Sequence, residues 1–330
     1  MLKTSKIDLH MHLAGIGCNS SGVWLSSAFR KSLAFKFLKT ILGITKEQMN
    51  SSVDIDWALM MSRLVKESGL DYGVALGFDG VYDHASGEID WNSSQMIIPP
   101  MWVFKVCRAH KNLLPAPSIN PHRRDSLDVL MAAHEAGAVM IKWLPAAQAI
   151  DVGSPKHKRF YEVVSAANIP ILIHMGGERT FRAIAPEMNN VDLLRFPLDL
   201  GVTVICAHSG TKIFGSREKD RTNTIRELLE RYPRLWVDNA GLCNPARFIH
   251  VKKLASDPVF SERTLYGSDW PVPTNAFYFT RQLGLGNVLR LESIKNPIAR
   301  DIAVKGKMGY PDETLTRASA VLANLDRWSV

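Results

Sequence analysis

The chain has 330 residues, 46% of them hydrophobic and 22% charged, with a mean hydropathy of −0.04. That composition supports one large globular core, and no run reaches the ~18 consecutive apolar residues of a membrane span. The net charge of +8 and pI near 9.3 favour anionic partners, yet the basic residues are spread along the chain instead of forming a stripe, which argues against nucleic acid.

The N-terminal Lys3 and Lys6 are followed at once by strand-like residues with Asp8 and two histidines, which is no secretory apolar segment. Four scattered cysteines (Cys18, Cys107, Cys206 and Cys243) have no metal-ligand spacing and read as reduced thiols of a cytoplasmic protein. In chain order, "KIDLHMHL" is the first predicted strand. A helix from about Asp56 to Ser68 leads to the second strand within Asp71 to Tyr82. The third starts at Leu113, and Asp125 is the expected N-cap of the helix "SLDVLMAAHEAG". Gly137 to Pro145 is the fourth, followed by the helix "KHKRFYEVVSAAN". Ile169 to Gly177 and Gly201 to Thr211 are the fifth and sixth. After the helix "RTNTIRELLERYP", Arg234 to Gly241 is the seventh strand and Thr264 to Pro273 the eighth, with helical material beyond.

Near-continuous apolar strands alternating with helices imply a parallel sheet covered on both faces. Eight such units predict an α/β fold, a (β/α)8 TIM barrel, as one domain over 1–330. A doubly wound open sheet is disfavoured, because no Gly-rich dinucleotide fingerprint follows the first strand. Two insertions, 13–55 after strand one and 83–112 after strand two, are expected to act as a lid or pocket wall. The first contains "AFRKSLAFKFLKTILGI", whose apolar residues recur at helical spacing.

Barrel chemistry sits at the C-terminal strand ends. His10 and His12 end strand one and, two apart, project from the same face; Ile7, Leu9 and Met11 would then point the other way. Lys142 ends strand four, His174 strand five, His208 strand six and Asp269 strand eight. Alternation predicts an inward direction for these ends: Pro170, Leu172 and His174 share a face of their strand, as do Val204, Cys206 and His208, and Leu265, Gly267 and Asp269. Singly, each has a bland reading: a hydrogen-bonded core histidine, a turn-forming Asp before Trp-Pro, a surface Lys. Converging on one rim without a metal they would be a stack of uncompensated polar groups; with a divalent ion of the zinc type, N/O ligation accounts for them.

This pattern resembles the metal-dependent amidohydrolase superfamily, within it the amidohydrolase family 2 branch, through the HxH of His10 and His12, Lys142, His174, His208 and the "GSDWP" Asp269. The resemblance implies a hydrolase with one or two divalent ions, zinc first among them. In two-metal relatives the strand-four lysine bridges the ions as a carbamate, which Lys142 would become here, whereas many single-metal relatives have a non-ligating residue on that strand. A glutamate there would point to nuclease-like relatives. Asp269 is then the catalytic base that takes a proton from the metal-activated water. With one metal, His208 becomes a base or an electrophilic donor.

For the substrate, Arg123 and Arg124 of "NPHRRD" are placed near the rim, where Arg123 would clamp a carboxylate; Trp143 would wall the pocket, and Glu178 with Arg179 lies beside His174. The expected reaction is hydrolysis of a carboxylic ester, lactone or amide in a small, anionic molecule. A metal-dependent decarboxylase or lyase on the same ligands is the rival reading, and a basic nucleic-acid binder with a structural His cluster the third. Oligomeric state, a homo-oligomer included, stays open at this level.

Overall fold

A computed structural model describes residues 4–328. Eight parallel strands form a barrel: β1 (Ile7–His12), β2 (Tyr72–Leu76), β3 (Leu113–Ala116), β4 (Ile141–Trp143), β5 (Ile171–His174), β6 (Val204–Ala207), β7 (Leu235–Asp238) and β8 (Thr264–Leu265). Their ladders run β1-β2-β3 and β4-β5-β6-β7-β8. Two seams close the ring by single hydrogen bonds. At one, Val139 N and Lys142 N donate to Pro115 O and Pro117 O (2.9 and 3.0 Å), because the prolines of β3 have no N–H to offer in return. At the other, Leu9 N, His12 N and Asp269 N bond across to Tyr266 O, Trp270 O and His10 O at 3.1, 2.8 and 2.9 Å.

The barrel interior is filled by Ile7, Leu9, Val74, Leu76, Leu114, Leu172, Ile205 and Leu265. Ala318, Leu322 and Leu325 join this cluster, so the last turns of the chain plug the barrel floor. Outward-facing residues of β4–β7 pack on the helices, among them Lys158–Ala166, Thr222–Arg231 and Pro297–Met308. The expected helix near 56–68 spans Val53–Glu67.

Local chemistry departs from the sequence reading at three places. The run "AFRKSLAFKFLKTILGI" is two helices, Ser27–Lys31 and Leu33–Ile41. Ser32 breaks it: its backbone is extended and its hydroxyl accepts from Phe35 N at 3.1 Å, a cap that competes with helix continuation. Asp125 precedes Ser126–Glu135 but does not cap it, since both carboxylate oxygens accept from Arg123 at 2.9 Å. The second strand ends at Leu76, and Val81–Tyr82 instead pairs with Ile89–Asp90 in a short hairpin.

The insertion after β1 is tied down at its base. Buried Asp54 accepts from Ile16 N, Gly17 N and Ser21 Oγ at 2.7, 3.1 and 2.5 Å. A Cβ on Gly15 would come within 2.5 Å of that carboxylate, so only glycine fits. Trp24–Leu25 pairs antiparallel with Met96–Ile97 and stitches the two insertions together.

Loops after β2, β3 and β4 stack three histidines. The His84 and His122 rings lie 3.7 Å apart, and His122 and His157 4.5 Å apart. Burial pushes His157 down to about 4, with Asp151 opposing and His84 and Lys156 adding to the shift. An unfolded histidine titrates near 6.5. Between pH 6.5 and 4 the unfolded chain therefore binds the extra proton, and stability falls as pH drops through that window. Urea unfolding at pH 7.5 and 4.5 should show His157→Asn losing less stability than the parent, by about 2–3 kcal/mol. Equal losses in both chains would refute this.

Candidate metal centre

Fully buried His10 lies near the end of β1. Its Nδ1 lies 2.8 Å from Asp238 Oδ2 at the end of β7. The carboxylate accepts a hydrogen bond from Nδ1–H, which leaves the Nε2 lone pair aimed into the barrel mouth. That Nε2 is 3.5 Å from Asp269 Oδ1 and 3.3 Å from Lys142 Nζ. His12 Nε2 is 3.0 Å from the same Asp269 oxygen. One ligand atom from each of His10, His12 and Asp269 lies within 4.8 Å of the others.

His174 and His208 form a second pair. His208 Nδ1 donates to Ala240 O at 2.8 Å, and His174 Nε2 faces Gly177 O at 3.3 Å. A carbonyl accepts only, so in both rings the outer nitrogen carries the hydrogen. The inner atoms, His208 Nε2 and His174 Nδ1, then face each other as lone pairs 3.2 Å apart. Burial, helped by nearby Lys142 and Arg247, keeps both rings well below the ordinary imidazole range, so a proton does not resolve the conflict.

A cation does. Ligands 2.0–2.1 Å from a tetrahedral ion stand about 3.3 Å from one another, close to the 3.2 Å of the His208–His174 pair and the 3.5 and 3.0 Å that separate Asp269 from His10 and His12. The donor set is imidazole nitrogens with an Asp side chain, the chemistry of a borderline divalent ion. Leaving one buried acceptor unmatched costs about 1–3 kcal/mol, so several in one mouth require a common partner. A divalent-metal site of His10, His12 and Asp269 is therefore present. The grouping of His10, His208 and Asp238 works differently, because Asp238 already accepts from His10 Nδ1, His208 N (2.7 Å) and Ala240 N (3.0 Å) and positions the ligand.

Two ligands reach this mouth against simple alternation. Leu9 fills the barrel interior although it precedes His10, while Met11 packs outward near Val65. A register shift between Asp8 and Met11 changes the parity and turns His10 inward. In β6, Ile205 and Ala207 face the interior and Val204 and Cys206 the helices, so the grouping of His208 with Val204 and Cys206 on an inward face is corrected. His208 enters the mouth because its φ is +54°, which bends the chain after the strand. Asp269 has φ +67°, and Gly241 beside it leaves room that a Cβ would take from Asp269 Oδ2.

Lys142 is 2% exposed, and burial lowers its amine to about 8 against the pull of Asp238, Asp269 and Glu178. Asp238 is pushed up by burial to about 6. Glu178 lines the cavity and anchors its own loop, its Oε1 accepting from Thr180 N and Phe181 N and its Oε2 standing 3.7 Å from His174 Nε2.

Two expected substrate residues lie elsewhere. Arg123 is held by Asp125, Tyr82 OH (2.8 Å) and Asp79 (3.5 Å), outside the cavity lining. Trp143 is fully buried on the helix side of β4, opposite Lys142, with Nε1 donating to Ile119 O at 2.7 Å and the ring near Phe160 and Tyr161. Sequence reasoning missed two others. Asp238 obeys the same strand-end rule in "LWVDNAG". Arg247 carries no local signal: it is almost fully buried at the edge of the cavity, donating to Thr211 O and, at 2.5 Å, to Gly177 O.

The site opens into a cavity of about 470 Å³, floored by His12, Lys142, His174, His208 and Asp269, with Arg179 and Arg247 on the rim. Its walls come from the insertion after β1 (Phe29, Phe35, Leu38, Ile44), while the insertion after β2 supplies Met96. Among the described residues, no helix is long and apolar enough to cross a membrane.

Fold and donor set together define a metal-dependent enzyme on a TIM barrel. Residues 7–303 match the amidohydrolase family (Amidohydro_2), and the chain belongs to that family; it is a metal-dependent enzyme of the amidohydrolase superfamily. Similar solved structures include an uncharacterized TIM-barrel protein from Bordetella bronchiseptica (14% identity, TM-score 0.59, covering 96% of this chain and 99% of that one). A Pseudomonas putida protein provisionally named a 2-pyrone-4,6-dicarboxylic acid hydrolase is 13% identical (TM-score 0.53, 98% and 96% covered). A 5-carboxyvanillate decarboxylase from Sphingomonas paucimobilis is 12% identical (TM-score 0.52, 96% and 99%). At these identities the likeness is one of fold. No curated protein matches the chain.

Proposed function

We propose that the chain hydrolyses a carboxylic ester, lactone or amide in an anionic small molecule, with zinc as the metal. The observation that carries this reading is the facing lone pairs of His174 and His208 beside the His10, His12 and Asp269 set. Two groups of donors with Lys142 Nζ 3.3 Å from His10 Nε2 suit a site for two ions, to which a carboxylated Lys142 would add oxygen ligands. His10, His12 and Asp269 would hold one ion, and His174 and His208 the other. Bound there, zinc lowers the pKa of water and polarises the carbonyl under attack.

The protein groups divide the remaining work. Asp269 takes the proton of the attacking water at a carboxylate oxygen and returns it to the leaving group. Asp238 fixes the His10 ring through Nδ1. Arg247 and Arg179 give the rim the charge that orients an anionic substrate, and the apolar wall excludes bulk water. A cytoplasmic setting suits the four unpaired thiols.

Decarboxylation on the same ligands is the second reading, favoured by the same cationic rim, which holds a carboxylate equally well. The deciding experiment is elemental analysis of protein prepared without chelator, followed by assays on ester, lactone and amide panels and on carboxylated phenols. Two ions per chain with hydrolytic turnover support the proposal. One ion with CO2 release moves the assignment to a decarboxylase, and no metal after zinc or manganese supply overturns both.

A further inference from the structure

We propose that the substrate carries a straight acyl chain, with its carbonyl end at the metal mouth and its tail lodged beneath the helix Leu33–Ile41; this rests on the hydrolase reading for the headgroup chemistry alone. Six of the nine residues of that helix, "LAFKFLKTI", are apolar, yet none is buried. Amphipathic helices owe their stability to burying an apolar face against something. Here that face, through Ala34, Phe35 and Leu38, meets the cavity. An apolar wall of this kind suits an apolar occupant.

The remaining wall says which kind. Phe181 is stacked between Phe29 (4.8 Å, 11°) and Phe78 (4.5 Å, 25°), so its ring faces are already covered by each other. Of the other lining rings, Phe35 and Trp57 already pack against Phe29 (6.1 Å, 66°) and Trp270 (5.1 Å, 58°) and Phe37 is half exposed to solvent, so a ligand meets partly covered rings together with the flexible aliphatic surface of Leu38 and Met96. Such a surface follows a bending alkyl chain better than it grips a rigid ring. At the opposite end the cavity turns polar, where the residues that would hold the metal sit beside Arg179 and Arg247 and a carbonyl or carboxylate fits. A volume of about 470 Å³ exceeds what a headgroup alone needs, being room for roughly fifteen waters. The occupant is one molecule with a polar head and a saturated tail.

The test is titration calorimetry of the zinc-supplied protein with acetate, butanoate, hexanoate, octanoate and decanoate. The Kd should fall about three- to fourfold per added methylene until the cavity is full. Phe35→Ser and Leu38→Ser should flatten that slope; both side chains are only partly buried, so the fold survives. Ala34→Leu should move the plateau to a shorter chain, a change that general damage would not produce. A flat series, or phenylacetate binding more tightly than octanoate, overturns the inference. Parallel turnover assays on acetyl and octanoyl esters and amides separate the two readings. A binding slope without hydrolysis of any panel member sinks the hydrolase and keeps the acyl tail. Hydrolysis indifferent to chain length, with flat binding, does the reverse.

Discussion

The Asp269→Asn variant should lose about 10^3- to 10^4-fold in turnover while keeping its fold. Asp269 Oδ1 is the oxygen that His12 Nε2 approaches at 3.0 Å and His10 Nε2 at 3.5 Å. An amide there keeps the shape but has no negative charge to offer a cation and accepts a proton poorly. Asparagine also suits the backbone, since φ of +67° is a conformation that Asn tolerates well. The structural cost is therefore small, and the loss reports on chemistry. The measurements are kcat, zinc per chain and the thermal midpoint of the same preparation. More than a tenth of parental turnover with normal zinc content would remove Asp269 from the reaction.

The Asp238→Asn variant should weaken metal affinity about 10- to 100-fold without touching a proposed ligand atom. Asp238 takes three N–H groups: His10 Nδ1, His208 N and Ala240 N, at 2.8, 2.7 and 3.0 Å. An asparagine places an NH2 group against at least one of those donors. Either His10 turns over, which withdraws its Nε2 lone pair from the mouth, or a buried donor stays unmatched at a cost of about 1–3 kcal/mol. Both outcomes reduce affinity, so competition with a chromophoric zinc chelator and urea unfolding should report losses together. Zinc affinity within twofold of the parent would show that His10 is held by its neighbours alone.

The two variants bear on different levels of the molecule. Asp269 stands in a short motif, "GSDWP", whose chemistry is visible in one dimension. Asp238 matters only because β7 lies beside β6 and across the mouth from β1. Its role is set by residues 228 and 30 positions away in the chain.

The sequence alone determined the barrel and the donor types. Eight apolar runs separated by helical periods leave few other folds, because strands buried on both faces must be continuous in hydrophobicity and need crossovers between them. Polar residues ending such runs mark the functional face, which is why His10, His12, Lys142, His174, His208 and Asp269 were legible. Only the tertiary structure decided where each side chain points. Alternation holds along a regular strand and fails where the strand is interrupted or ends: a register shift within β1 turns His10, and a left-handed residue after β6 turns His208. Arg123 and Trp143 were lost for a related reason. Their partners, Tyr82 and Asp79 for the first and Ile119 for the second, lie on neighbouring β/α units and compete with the cavity for the same side chains. Arg247 and the apolar wall of Leu33–Ile41 gain their meaning from what the fold sets opposite them, and that proximity is absent from any local pattern of residues.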